Sequence, residues 1–92
     1  MTKKEFTLGT SVKITSIISV ATPTSAKITI KDEEENIKVN LVDMTRDADG
    51  VYSYPYQSLA TDVEGDYVAT VTVVADGKTS IVQDTFTLKA QL

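Results

Sequence analysis

The run Gly65-Asp66-Tyr67-Val68-Ala69-Thr70-Val71-Thr72-Val73-Val74-Ala75-Asp76-Gly77-Lys78-Thr79-Ser80-Ile81-Val82-Gln83-Asp84-Thr85-Phe86-Thr87-Leu88 decides the fold. Valine, threonine and tyrosine suit a half-buried pleated surface. Asp-Gly between two such runs marks a two-residue hairpin loop, because both turn residues must take positive φ. With Asp76 and Gly77 as the loop, Ala75 faces Lys78 and the rest follows: Val73 with Ser80, Val71 with Val82, Ala69 with Asp84, Tyr67 with Phe86. One face then collects Tyr67, Val71, Val73, Val82 and Phe86, and Thr70, Thr72, Gln83 and Thr85 take the other. The pairing puts Asp84 on the core parity, where an unpaired carboxylate is expensive. A bulge near Gln83-Asp84, or a hydrogen-bonded carboxylate close to the end of the sheet, is expected there.

Working outward, Val12, Ile14, Ser16, Ile18 and Val20 share one parity of a strand from about Ser11 to Val20, and Ile17 breaks the alternation outward. Ala26, Ile28 and Ile30 alternate with Lys27, Thr29 and Lys31, and Ile37, Val39 and Leu41 repeat the pattern after the acidic run Asp32-Glu33-Glu34-Glu35. Asp43 to Gly50 reads as a polar, turn-forming segment with Met44 as its one large apolar side chain. Tyr52, Tyr54 and Tyr56 share a face, and Pro55 demotes the end of that strand to an edge or an exit, since it cannot donate a ladder hydrogen bond. A short strand around Phe6 to Leu8, turned by Gly9, completes the set. About seven antiparallel strands with regular turn signals and no helical periodicity predict an all-β Greek-key sandwich rather than a small barrel.

Composition narrows function mainly by exclusion. Ninety-two residues make one domain, 1–92, without cysteine, so burial and β-ladders carry its stability. The absence of histidine removes the usual general base and the commonest transition-metal ligand. Nine basic residues against thirteen acidic ones give a net charge of −4, which argues against a nucleic-acid backbone or an anionic membrane as partner. Two early lysines are not followed by the apolar stretch of a signal peptide, and no segment is long and apolar enough to span a bilayer. Synthesis in the cytoplasm is the reading that follows.

Gly50-Val51-Tyr52-Ser53-Tyr54, Glu64-Gly65-Asp66-Tyr67-Val68-Ala69-Thr70-Val71, Asp76-Gly77-Lys78-Thr79 and Thr85-Phe86-Thr87-Leu88 together carry a resemblance. They are similar to the glycine, tyrosine and alternating-valine pattern of bacterial, archaeal and phage immunoglobulin-like domains, of the fibronectin type III or macroglobulin-like sort. Ser25-Ala26-Lys27-Ile28-Thr29-Ile30 also fits small stand-alone versions in phage, prophage and archaeal viral genomes. The resemblance implies an immunoglobulin-like Greek-key sandwich. It also implies a tyrosine corner at Tyr67, whose hydroxyl bonds backbone a few residues upstream while its ring faces Phe86. The antibody cysteine pair and tryptophan are missing, so only the sandwich transfers. Such domains host adhesion, carbohydrate binding and virion structure alike.

Asp47-Ala48-Asp49-Gly50 is a fragment of a calcium loop, since alternate aspartates can wrap oxygens around a hard cation, but a third acidic position and the distal bidentate glutamate are missing. Asp62, Glu64 and Asp66 form a second acidic patch, which would strengthen that site if the two loops met. Tyr52, Tyr54 and Tyr56 could stack on sugars, although period-two spacing more simply means core. No pair of carboxylates is singled out for catalysis. The expectation is therefore a non-catalytic structural or protein-interaction module without a cofactor. Within it Tyr67, Phe86, Asp76, Gly77 and Asp84 are structural, and Ile17 and Val42 are outward apolar candidates for contact with a protein partner. A phage, prophage or viral accessory protein that ends in the virion is the first reading. The alternative is an excised domain of an extracellular bacterial or archaeal surface protein, acting as spacer, adhesin or carbohydrate-binding module.

Overall fold

The computed structural model describes residues 4–18 and 23–90, and all regular structure among them is β. Eight strands follow one another: β1 (Lys4–Thr7), β2 (Ser11–Ile17), β3 (Ser25–Lys31), β4 (Ile37–Asp43), β5 (Thr45–Ala48), β6 (Val51–Gln57), β7 (Gly65–Ala75) and β8 (Lys78–Lys89). They form a five-stranded sheet in the order β1-β8-β7-β3-β4 and a three-stranded sheet in the order β2-β6-β5. All pairings are antiparallel except β1 with β8, which is parallel. Ser19 and Val20, assigned to the end of the second strand, lie outside the described residues.

Between the sheets lies one apolar cluster. Ile28 and Ile30 of β3, Tyr67, Ala69, Val71 and Val73 of β7, and Phe86 and Leu88 of β8 rise from the larger sheet. Val12 and Ile14 of β2, Met44, and Tyr52 and Tyr56 of β6 descend from the smaller one. The period-two alternation of the sequence is what aims these side chains inward: β2 and β3 both bury every second residue. Aromatic rings bridge the layers, with Tyr56 at 6.2 Å from Tyr67 and 6.4 Å from Phe86, and Tyr67 stacks on its neighbour Phe86 at 5.6 Å.

The hairpin register holds residue for residue, from Ala75↔Lys78 through Tyr67↔Phe86 to Gly65↔Leu88. Asp76 and Gly77 both have positive φ, 52° and 72°, as the two-residue loop requires.

One expectation needs correction. Asp43 to Gly50 is not a turn throughout, because Thr45–Ala48 pairs with β6 as the eighth strand. All four of its residues are exposed, so it carries no alternation by which sequence could reveal it. Of the two alternatives expected at Gln83-Asp84, the ladder runs without a bulge and the hydrogen-bonded carboxylate is the one found, accepting the Thr85 N–H. Pro55 sits beyond the reach of β5, which pairs β6 only from Val51 to Ser53, so β6 is an edge at that point.

Candidate functional site

Two regions carry more than fold. The first is the side of the molecule where β2 overlies β8. The parallel strand β1 covers β8 only from Phe86 to Lys89, leaving Lys78 to Thr85 with a neighbour on the β7 side alone among the described residues. In a two-residue hairpin the pair flanking the loop exchanges both backbone hydrogen bonds, so the even-numbered residues of β8 bond β7 and the odd-numbered ones point outward. The bond from Leu8 N–H to Lys89 C=O on the outer side, 2.8 Å, has the same phase. Thr79, Ile81, Gln83 and Thr85 therefore present their N–H and C=O groups away from β7.

Val82 and Asp84 keep the core parity that the register gives them, yet among the described residues nothing closes over them. Between β2 and this half of β8 runs an open groove of about 460 Å³ whose walls include Ile17, Ile18, Val73, Lys78 and Val82. It continues past Ile14 and Asp84 toward Phe6 and Phe86. Val82 is consequently 50 % exposed, Ile81 on the opposite face 65 %, and Ile17 83 %. Asp84 needs no buried partner: its carboxylate is exposed and accepts the Thr85 N–H at 3.0 Å. Val42, 42 % exposed on the edge strand β4, lies on the far margin of the larger sheet and does not join Ile17.

The second region is a polar network at the end of the molecule where β3 turns into β4 and β6 leads to β7. Asp32 stands first in a run of four acids, but it is buried, and its carboxylate accepts bonds from the backbone N–H of Glu34 (2.8 Å) and Asn36 (2.9 Å) and from Asn36 Nδ2 (3.2 Å). Burial pushes this carboxyl up, but those bonds and the nearby Lys38 ammonium outweigh it and hold Asp32 below the ordinary carboxylate value. Lys38 lies 3.8 Å from Asp32 and 3.3 Å from Asp62, joining the two loops. The Tyr56 phenol is buried beside Asp62, and burial with the Asp62 charge pushes it far up.

Tyr67, fully buried, donates its hydroxyl to Val63 C=O at 2.6 Å; burial, then Asp62 and Asp32, push its pKa up to about 12. In sequence Tyr56 groups with Tyr52 and Tyr54, and nothing in the acidic run sets its first member apart from the other three. Neither the approach of Asp62 to Tyr56 nor the burial of Asp32 has a signal in one dimension, because both depend on loops meeting.

The calcium candidates do not converge. Asp47 faces Lys13 at 3.6 Å, and Asp49 is paired with Arg46. The patch of Asp62, Glu64 and Asp66 lies beyond the far end of β6 from Asp49, so the two acidic loops occupy opposite ends. Asp62 accepts Leu59 N–H, Glu64 accepts Ala90 N–H, and Asp66 accepts the Thr87 hydroxyl. Among the described residues no three acidic side chains gather in a way that could hold a metal ion. Tyr52 and Tyr56 are buried in the core and Tyr54 packs against it, so the three rings form no exposed platform. The chain matches no protein-family model, and comparison with curated proteins finds no relative.

Proposed function

We propose that this chain is an immunoglobulin-like Greek-key sandwich acting as a non-catalytic structural or protein-interaction module, a small accessory component of a phage or related virus. The reading of the fold is supported by a chain that alternates between sheets in the order β1-β8-β7-β3-β4 over β2-β6-β5. The Tyr67–Val63 bond at the start of β7 supports it too, being the contact a tyrosine corner makes. The viral context is supported by the sequence resemblance alone.

The observation that carries the binding role is the open half of β8, flanked by exposed Ile17, Ile81 and Val82. An unpaired strand edge is a template for another strand, and natural sheets ordinarily blunt such edges with charge. The test is mass spectrometry of particles purified from the culture that encodes this chain. Stoichiometric recovery with capsid or tail proteins is expected, together with its loss when Ile17 is replaced by Lys. Absence from particles, or a reading frame that continues into a long multidomain surface protein, overturns the proposal.

A further inference from the structure

The sheet edges are not equivalent. β1 exposes Lys4 and Glu5 along its length, β2 carries Lys13 at its middle, β4 carries Lys38 and ends in Asp43, and β5 contains Arg46 and Asp47. Each has a charge that would be stranded if a second strand docked there, the usual defence against edge-to-edge association. The open half of β8 is the exception among the described edges. Its central residues Thr79-Ser80-Ile81-Val82-Gln83 carry no charge, and they are bracketed by one cation, Lys78, and one anion, Asp84.

That arrangement is self-complementary. If a second copy approaches antiparallel with Ile81 opposite its own equivalent, Ser80 stands opposite Val82, Thr79 opposite Gln83, and Lys78 opposite Asp84 at both ends. This register agrees with three independent features of the strand. Ile81, Thr79 and Gln83 are residues whose N–H and C=O groups point outward, so they form the hydrogen-bonded pairs of the new ladder. Lys78 and Asp84 then fall in the closer, non-hydrogen-bonded pairs, where opposite charges gain most. The paired length ends at Asp84, short of Phe86, where β1 takes over the edge.

Both faces of the joint cover surface that the single chain leaves exposed, Ile81 on one side, Val82 with the groove beneath Ile17 on the other. A shift that centres Val82 instead sets Asp84 against Ser80 and Lys78 against Phe86, an edge already occupied.

We infer that two copies of this chain pair through residues 78–84 of β8, making one continuous sheet across a two-fold axis that passes through Ile81. The inference deepens the binding role proposed above and rests on it, naming a second copy as occupant of the edge.

Sedimentation velocity from micromolar to millimolar chain tests it, alongside amide exchange. Wild type is expected to pass from monomer to dimer, with exchange at Thr79, Ile81 and Gln83 slowing as concentration rises. Asp84→Lys sets like charges opposite at both ends and is expected to weaken association at least about tenfold, while the swap Lys78→Asp with Asp84→Lys restores it. Ile81→Pro removes an N–H that β7 does not use and is expected to abolish the dimer. Should that variant lose its β circular dichroism, the exposed Asp84→Lys decides alone. A wild type that stays monomeric throughout, or a dimer indifferent to Asp84→Lys, overturns self-pairing. Recovery of the chain in particles is a separate readout, so a monomer found there sinks the dimer and leaves the binding role standing.

Discussion

Tyr67 combines a ring stacked on Phe86 with a hydroxyl that satisfies Val63 C=O, and it has no exposure. Tyr67→Phe keeps the ring and strands that acceptor, so a loss of about 1–3 kcal/mol in chemical denaturation is expected. Tyr56→Phe is expected to cost more than the same change at Tyr52 or Tyr54, because the Tyr56 phenol is buried next to Asp62. A Tyr67 variant no weaker than Tyr54→Phe would show that the bond to Val63 contributes nothing.

Asp32 obeys the opposite sign. Its pKa is depressed in the folded chain, so the stability it supplies is present above the ordinary carboxylate pKa and disappears as pH falls through the folded value. The Tm difference between wild type and Asp32→Asn is therefore expected to be widest near neutrality and to shrink below about pH 4. The role of Tyr67 was legible because Gly-x-Tyr and the hairpin register fixed its parity. That of Asp32 was not, because a run of four acids looks the same whether its first member faces water or is capped by Asn36.

At the level of elements, the β7–β8 hairpin was the most legible part of the chain, since a two-residue Asp-Gly loop leaves one register and parity does the rest. Parity tells which side of a sheet a residue takes, and it does not tell whether another layer reaches over it. That is why Val82 and Asp84, on the core side by register, stand at an open groove. β5 escaped for a related reason, as a strand exposed on both faces has no pattern.

Two glycines separate steric crowding from backbone conformation. A Cβ at Gly77 meets nothing, so Gly77→Ala carries only the left-handed penalty at φ 72°, about 1–2 kcal/mol. A Cβ at Gly65 meets the Glu33 Cβ and Cγ at 2.8 Å with φ at 135°, and Gly65→Ala is expected to be the more damaging of the two by denaturant titration. At the β5–β6 turn, Asp47 and Asp49 are engaged by Lys13 and Arg46, so millimolar calcium is expected to leave Tm unchanged. An upward shift abolished by Asp49→Ala would overturn that pairing as the role of the turn.

For the molecule as a whole, the alkaline limb of stability belongs to the buried phenols. An unfolded tyrosine ionises near pH 10, whereas Tyr67 in the folded chain waits until about 12. Its contribution is complete below pH 10 and falls away as pH rises toward 12, because the unfolded chain sheds the proton first. Denaturation midpoints followed through that window are expected to decline, and less steeply for Tyr67→Phe. What sequence supplied at this scale was class: all-β, in two sheets, without a metal-binding histidine or cysteine. How the loops knit together at one end is set by contacts between residues far separated along the chain, as in the clasp where Ser58 Oγ donates to Thr10 C=O at 2.8 Å.

The one parallel pairing bears on mechanics. β1 and β8 lie side by side, running the same way, with Lys4 opposite Phe86 and Thr7 opposite Lys89, and with Glu5 and Lys89 joined at 3.1 Å. Tension drawn through the chain before Lys4 and after Lys89 pulls these two strands lengthwise past one another. It loads every rung of that short ladder at once instead of peeling them singly. Stretched between neighbours in an assembly, the domain resists as a shear joint, and single-molecule pulling from its two ends is expected to give a higher unfolding force than pulling across the β7–β8 hairpin.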